Sequence, residues 1–231
     1  ADSSIPAPEV EVGNVTASGF SAAVTPASGT YKTYAAIRPV SSVPEDELES
    51  VIDLMKLGNY SKGNEIMTIS TSKYDSSTEL CLVAVSVTDD GRFGSIFTQK
   101  VQLKELEFRD DLSVSVTGIK HGLGDVTLSL SFEGDPVSLT YFAETFTFYP
   151  DETLQRLMAL GQLGNASTVN ISSLNGGSLN ISGLSVGSLY TFYAVVTDAD
   201  GAASKLCKYE FTPSVSIDYI TSSSADYGYG M

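Results

Sequence analysis

The chain has 231 residues, of which 42% are hydrophobic and 18% are charged, and it contains no Trp. Its formal net charge of −15 disfavours binding to nucleic acid and to anionic membranes, which attract surfaces rich in Lys and Arg. No apolar run approaches the roughly 18 residues of a membrane-spanning helix. The length is too great for one ordinary sandwich domain and fits two domains of about 100 to 110 residues each.

Residues 1–8 are predicted to be an N-terminal tether, because they are small, polar and contain Pro. Such an opening is typical of a mature terminus that follows a cleaved signal or a lipid anchor. We therefore expect an extracellular or cell-surface protein, in the form of a bacterial outer-membrane lipoprotein with a lipid anchor upstream of residue 1. Cys81 and Cys207 occupy non-equivalent positions in different repeats, so we expect them to be unpaired apolar residues.

Module 1 is predicted over 9–104, as short β-strands interrupted by an amphipathic helix over about 44–57. Alternating apolar and polar residues at its start favour half-buried strands. Pro44 suits the first helical position, and Gly58 suits a left-handed cap. One apolar stripe is expected at the spacing i, i+3, i+4 and i+7, formed by Leu48, Val51, Ile52 and Met55.

The predicted helix needs a surface to cover, and the strand around 80–87 supplies one. Apolar residues occupy both of its faces, whereas a strand that faced water would show polar residues on one side. We expect the helix to cover the outer face formed by Cys81, Val83, Val85 and Val87. A partner-binding role for the helix is the alternative. In the second module a looser cover is predicted, because the equivalent positions are Thr191, Tyr193, Val195 and Thr197.

A linker is predicted over 105–111 and module 2 over 112–213. Residues 214–231 form a polar C-terminal tail. The tail has the composition of a linker or disordered end. If ordered, it is expected to pack on module 2 or to add a strand to a neighbouring copy.

The two modules are internal repeats of each other. The block 43–59 matches 149–165 without a gap, which predicts a second helix over about 150–163 that ends at Gly164. Further matched blocks are 79–103 with 189–211 and 34–37 with 141–144. Three matched blocks in the same order indicate duplication of a whole module.

Each module ends in a long strand, a turn and a last strand. The turns contain Asp and Gly, at Asp89-Asp90-Gly91 and at Asp198-Ala199-Asp200-Gly201. A Gly after Asp supplies the positive φ that a tight hairpin needs, so both turns are expected to be structural. Calcium binding by the Asp pairs is the alternative.

The segment 184–201 carries a Leu, a Gly three residues on and a Tyr three residues further, before an alternating strand and a Gly turn: Leu184, Gly187, Tyr190 and Gly201. This pattern resembles the strand-F signature of fibronectin type III domains. The resemblance implies a mainly β chain of two tandem immunoglobulin-like, fibronectin type III-like β-sandwiches, each with one inserted amphipathic helix. It also implies a tyrosine corner at Tyr190. The chain is similar to modules of secreted or lipid-anchored surface proteins of Bacteroidetes. Trp is absent, so Phe20 is expected to replace the usual core Trp of module 1.

The sequence offers no constellation for catalysis. Its one histidine, His121, lies in a Lys-His-Gly turn, and no G-x-S-x-G motif, P-loop or dinucleotide fingerprint is present. One His cannot build a His-rich metal site. We therefore expect a protein that is not an enzyme and that needs no cofactor or metal.

Binding is the expected function, with a protein or a glycan at the cell surface as partner. The candidate ligand-binding residues are exposed aromatics of module 2 and the tail, namely Tyr141, Phe146, Tyr149, Tyr193 and Tyr219. Three hypotheses stay open: an adhesion protein built of spacer and platform sandwiches, a carbohydrate-binding accessory protein, and a subunit of a surface polymer joined through its tail.

Overall fold

The computed structural model describes residues 1–27, 32–62, 65–71 and 74–215, and the chain divides into two compact units at Leu106 and Glu107. Each unit is an antiparallel β-sandwich, and each carries one α-helix within the described residues. The predicted fold class of two tandem sandwiches with inserted helices is therefore confirmed. The tail from residue 216 on, including Tyr219, lies outside the described residues.

Module 1 pairs a three-stranded sheet with a four-stranded sheet. The strand orders are β1-β2-β5 and β4-β3-β6-β7. The elements are β1 (Glu9–Val12), β2 (Phe20–Thr25), β3 (Lys32–Pro39), α1 (Glu47–Leu57), β4 (Tyr60–Lys62), β5 (Met67–Thr71), β6 (Glu79–Val87) and β7 (Phe97–Gln102). Phe20 is buried in the core between the sheets.

Module 2 repeats this plan. The strand orders are β12-β9-β8 and β11-β10-β13-β14. The elements are β8 (Ser113–His121), β9 (Asp125–Glu133), β10 (Ser138–Glu144), α2 (Asp151–Ala159), β11 (Ser167–Asn170), β12 (Ser178–Ser182), β13 (Tyr190–Thr197) and β14 (Cys207–Phe211). Short 3₁₀ turns lie at Val40–Ser42, Ile171–Ser173 and Asn175–Gly177.

The helix of module 1 lies on the outer face of the four-stranded sheet, as predicted. Strand β6 sends Leu80, Leu82 and Ala84 into the core between the sheets. Its other face packs against Val51 and Leu54 of α1, through Cys81, Val83, Val85 and Val87. The central residues of this strand are therefore buried on both sides.

The apolar stripe predicted for α1 is only partly correct. Val51 and Leu54 are each 2% exposed, with Ser50 buried beside them. The other predicted stripe residues, Leu48, Ile52 and Met55, are exposed. The stripe was predicted from apolar residues alone, which left out the polar Ser50. The Ser50 hydroxyl donates a hydrogen bond to the carbonyl oxygen of Pro44 at 3.0 Å, so this side chain can be buried.

The start of α1 also differs from the prediction. The helix begins at Glu47 rather than at Pro44, because the carboxylate of Asp46 accepts a hydrogen bond from the backbone N–H of Glu49 at 3.0 Å and caps it. The predicted end is as expected, with Gly58 in the left-handed conformation at φ +69°.

Helix α2 is shorter than predicted. Pro150 is its N-cap, and the chain leaves the helix after Ala159 through Gly161, which has φ +65°, rather than at Gly164. The backbone N–H of Gly161 donates to the carbonyl oxygen of Met158 at 3.1 Å, which ends the helix one turn early.

The cover of the outer face in module 2 is not loose. Leu154, Met158, Ala159 and Leu160 are all buried. On the sheet, Val195 is buried, and the rings of Phe142 and Tyr193 stack with centroids 4.9 Å apart. The large aromatic rings on this face fill the space under the helix.

The predicted tether and linker are parts of the modules. Ile5 is buried in module 1, and the backbone N–H of Asp2 donates to the carbonyl oxygen of Phe93 at 2.7 Å. In the predicted linker, Phe108 forms a β-bridge with Ala203, and the guanidinium of Arg109 bonds the carboxylate of Asp198 at 2.7 Å. The apolar Ile5 and these backbone pairings anchor both segments.

Tyr190 has the geometry of a tyrosine corner. Its hydroxyl accepts a hydrogen bond from the backbone N–H of Ser185 at 3.1 Å, while Leu184 is buried in the core. Gly187 has φ +83°, and its N–H donates to the carbonyl oxygen of Pro213 at 2.9 Å. The corner thus fixes the loop that precedes β13 and ties it to the end of β14.

A matched pair of substitutions tests the corrected helix face. Leu54→Ala is expected to lower the free energy of unfolding by about 2–5 kcal/mol, because it leaves a cavity between α1 and the sheet. Ile52→Ala is expected to change it by less than about 1 kcal/mol, since Ile52 is 42% exposed. Equilibrium urea unfolding of the whole chain measures both, and equal losses would contradict this placement of the helix.

The tyrosine corner is tested by removing one oxygen atom. Tyr190→Phe is expected to lower the free energy of unfolding by about 1 kcal/mol, because the backbone N–H of Ser185 loses its acceptor. Tyr209→Phe is the control, since within the described residues the Tyr209 hydroxyl makes no hydrogen bond. Thermal unfolding that shifted equally in both variants would count against the corner.

Candidate functional site

Two of the predicted ligand-binding aromatics lie within the fold. Tyr193 is 8% exposed, and its ring lies under α2. Tyr141 is half-buried and packs against the core, with its ring 6.1 Å from that of Phe192. Both strands have the core on one face and α2 on the other, so Tyr193 is buried and Tyr141 is exposed only in part.

The exposed aromatics are concentrated in one loop. We call residues 145–149 the aromatic loop; it joins the end of β10 to the start of α2. Phe148 is 90% exposed, Phe146 is 64% exposed and Tyr149 is 47% exposed. The rings of Phe146 and Phe148 meet edge to face, at a centroid distance of 4.7 Å and an angle of 86°. Three aromatic side chains therefore face solvent side by side.

The aromatic loop forms one wall of a cleft, which we call the aromatic cleft. Its volume is about 320 Å³, and its wall combines aromatic rings with polar side chains: Phe142, Glu144, Phe146, Thr147, Phe148, Tyr149, Leu163, Gly164 and Asn165. The amide nitrogen of Asn165 donates to the carboxylate of Glu144 at 2.6 Å. This hydrogen bond connects the end of β10 to the segment before β11.

A second cleft, which we call the polar groove, adjoins the first. It has a volume of about 250 Å³, and it shares Phe142, Glu144 and Asn165 with the aromatic cleft. Its other lining residues are Tyr141, Ala143, Ser167, Asn180, Ile181 and Ser182. The amide nitrogen of Asn180 donates to the carboxylate of Asp125 at 2.8 Å, which holds this wall in place.

The strand register shows which residues of module 1 correspond to this site. Ala35 is paired with Ala84, and Tyr141 is paired with Ala194. Because Ala84 and Ala194 are matched in the repeat, Ala35 corresponds to Tyr141. The alignment of 34–37 with 141–144 is therefore wrong by one residue, since short apolar strands do not fix their own register.

The corresponding residues of module 1 differ in size and charge. In the corrected alignment Arg38 corresponds to Glu144, and Ser42 corresponds to Phe148. Arg38 forms a salt bridge with Asp53 of α1, and the space around this pair is too small for a water molecule. Module 2 has Ala159 at the position of Asp53, so it cannot make that salt bridge. The two modules therefore differ in the side chains that lie beside the helix.

The sequence predicted part of this site. Phe146 and Tyr149 were candidates and lie on the cleft, and Tyr141 lines the polar groove. Phe148, Glu144 and Asn165 were missed. The repeat itself held the signal for Phe148, because a gap-free comparison places three aromatics where module 1 has Val40, Ser42 and Val43.

Other groups with chemical potential have structural contacts. His121 accepts a hydrogen bond at Nδ1 from the backbone N–H of Ser214 at 3.3 Å. The carboxylate of Asp198 accepts from the backbone N–H groups of Asp200 and Ala202, at 2.9 and 3.0 Å, and so closes its turn. Burial raises the pKa of the thiols of Cys81 and Cys207.

Two kinds of feature are absent from the described ranges. No cluster of three or more His, Cys, Asp and Glu side chains there is arranged to hold a metal ion. No helix in the same ranges has the length and apolar character needed to cross a membrane.

Comparisons with known proteins found solved structures of low sequence identity. No family model matches the chain, and no curated protein matches it. The FN1–FN3 domains of chicken CNTN1 share 12% identity, with 91% of this chain and 68% of that chain covered and a TM-score of 0.33. The central fibronectin-III array of RIM-binding protein shares 10% identity, with 94% and 71% covered and a TM-score of 0.30. Both are arrays of fibronectin type III domains.

Proposed function

We propose that the chain is a non-enzymatic binding protein of the extracellular space or the cell surface, and that the aromatic cleft of module 2 is its ligand-binding site. The observation that carries this proposal is the exposure of Phe148 at 90% beside Phe146 at 64%, at the mouth of a cleft of about 320 Å³. Module 1 serves as a spacer.

The exposed rings favour binding on energetic grounds. Covering a phenyl ring that faces water contributes about 1.5–3 kcal/mol, so two neighbouring rings offer a partner substantial binding free energy. A loop that served only as a connection would present polar residues. The corresponding connection of module 1 has Ser42 in the place of Phe148, the most exposed ring. Clustered exposed aromatics mark interaction sites more often than single ones do.

The comparison of the modules supports this division of roles. Both modules place a helix on the same face of the same sheet. The differences between them therefore lie in the side chains beside the helix. In module 1 Arg38, which is at the position of Glu144, forms a salt bridge with Asp53. In module 2 Glu144 bonds Asn165 instead, and the space beside this pair is open.

Phe148→Ser tests the proposal, with Leu123→Ser as the control. Leu123 is a large side chain of the β8–β9 turn that is 64% exposed, so it controls for the loss of any exposed apolar group of module 2. The whole chain is tested for binding to a panel of immobilised extracellular-matrix proteins and polysaccharides by biolayer interferometry. Phe148→Ser is expected to weaken binding at least about tenfold, which corresponds to the lost burial of one ring.

Leu123→Ser is expected to change the affinity by less than about twofold, and both variants should keep the melting temperature of the parent chain. The proposal fails if the parent binds no panel member. It also fails if Phe148→Ser and Leu123→Ser have the same affinity for every panel member that the parent chain binds.

A further inference from the structure

We infer that the ligand of the aromatic cleft is an uncharged carbohydrate chain, with one sugar ring stacked on Phe148 and its hydroxyl groups bonded to Glu144 and Asn165. The inference rests on the proposed function and names the ligand class of that site.

Phe148 is placed as a stacking platform. Its ring is 90% exposed, and Phe146 supports it from the side through the edge-to-face contact at 4.7 Å. The face of a phenyl ring carries partial negative charge, which attracts the C–H groups on the flat side of a sugar ring. A phenyl side chain has only two side-chain torsions, so binding immobilises little and costs little entropy.

Glu144 and Asn165 supply the polar half of the site. Their mutual hydrogen bond of 2.6 Å uses one donor of the amide and one acceptor site of the carboxylate. The pair keeps a second amide N–H, the amide oxygen and further carboxylate lone pairs. Neighbouring hydroxyl groups of a sugar both donate and accept, so they match such a mixed set. Few polar groups beside an aromatic wall are the usual composition of a small-molecule site.

The polar groove extends the site beyond one sugar. It begins at Glu144 and Asn165 and continues along Ser167, Asn180 and Ser182, whose side chains carry hydroxyl and amide groups. The two clefts have volumes of about 320 and 250 Å³ and share three lining residues. A chain of sugars can therefore have one unit on Phe148 and the next in the groove.

The charge of the site selects against anionic ligands. The described residues that line the two clefts include Glu144 and no Lys or Arg, and the whole chain has a net charge of −15. An acidic polysaccharide would be repelled. A protein partner would need about 800 Å² of this surface, whereas the apolar part is confined to one short loop. An uncharged sugar chain can stack on the rings and form hydrogen bonds with the polar groups at the same time.

Affinity electrophoresis in gels that contain soluble neutral polysaccharides tests the inference. Each gel contains a mixed-linkage glucan, a galactomannan, an arabinoxylan or a starch-type glucan. A further gel contains polygalacturonic acid and tests binding to an acidic polysaccharide. The whole chain is expected to be retarded in at least one neutral gel. Four variants then separate stacking from simple apolar contact and from charge.

Phe148→Tyr keeps the ring face and is expected to retain affinity within about threefold. Phe148→Leu keeps apolar bulk without a flat face and is expected to weaken binding at least tenfold. Asn165→Ala should also weaken binding, since the hydroxyl groups lose their amide partner. Glu144→Gln keeps hydrogen-bonding capacity without charge and should stay within about threefold for an uncharged ligand.

A spectroscopic variant reads the same site directly. The chain has no Trp, so Phe148→Trp introduces a single reporter on the platform. Oligosaccharides from partial hydrolysis of the retarding polysaccharide should shift its emission to shorter wavelength and saturate. A Phe146→Leu background should weaken this response, because it removes the lateral support of the platform.

The outcomes separate this inference from the proposed function. Binding to a protein with equal tolerance of Phe148→Tyr and Phe148→Leu overturns the carbohydrate assignment and leaves the aromatic cleft a binding site. Retardation only in the acidic gel, abolished by salt, overturns the assignment of an uncharged ligand. Failure of every polysaccharide and every protein to bind in a Phe148-dependent way overturns both.

Discussion

The packing of one helix onto the outer face of each four-stranded sheet is the constraint on which the other features depend. It buries strand β6 on both sides, through Leu82 toward the core and Val83 toward α1. In module 2 it does the same to β13 through Val196 and Val195. Most of the central sheet surface is thereby removed from solvent, so large side chains for ligand contact must come chiefly from the connections and from the sheet edges.

The connection between the third strand and the helix is where the modules differ most. The register equates Arg38 with Glu144 and Asp53 with Ala159. In module 1 the two opposite charges form a salt bridge between the strand and the helix. Module 2 has a carboxylate and a methyl group at these positions and cannot form that salt bridge, and its loop carries aromatic rings. Module 2 thus lacks the salt bridge of module 1 and has exposed rings in the same connection. Both differences fit the binding role that we propose for module 2.

The sequence predicted those features that depend on hydrophobic patterning alone. It did not predict features in which a hydrogen bond or the packing of another element decides whether a side chain is buried. The repeat and the two apolar faces of β6 predicted two sandwiches with covering helices. The stripe of α1 was misjudged because Ser50 is buried with its hydroxyl satisfied, and no hydropathy pattern marks that. Tyr193 is buried because α2 covers the outer face of β13 closely, and the alternation of a strand does not show how completely a helix covers that face. Phe148 lies in a segment without periodicity, and only alignment with Ser42 singles it out.

The same packing that hides the sheet also positions the aromatic loop. Six residues separate the end of β10 from α2, and buried groups hold both sides: Phe142 on the strand and Leu154 on the helix. A loop this short with fixed ends has little conformational freedom to lose, so a ligand that covers Phe148 keeps most of the free energy of that contact. The helix therefore acts on binding without touching the ligand. A cavity at Leu154 would loosen the helix end of the loop and weaken binding through the position of the ring, whereas one at Leu54 would leave it unchanged.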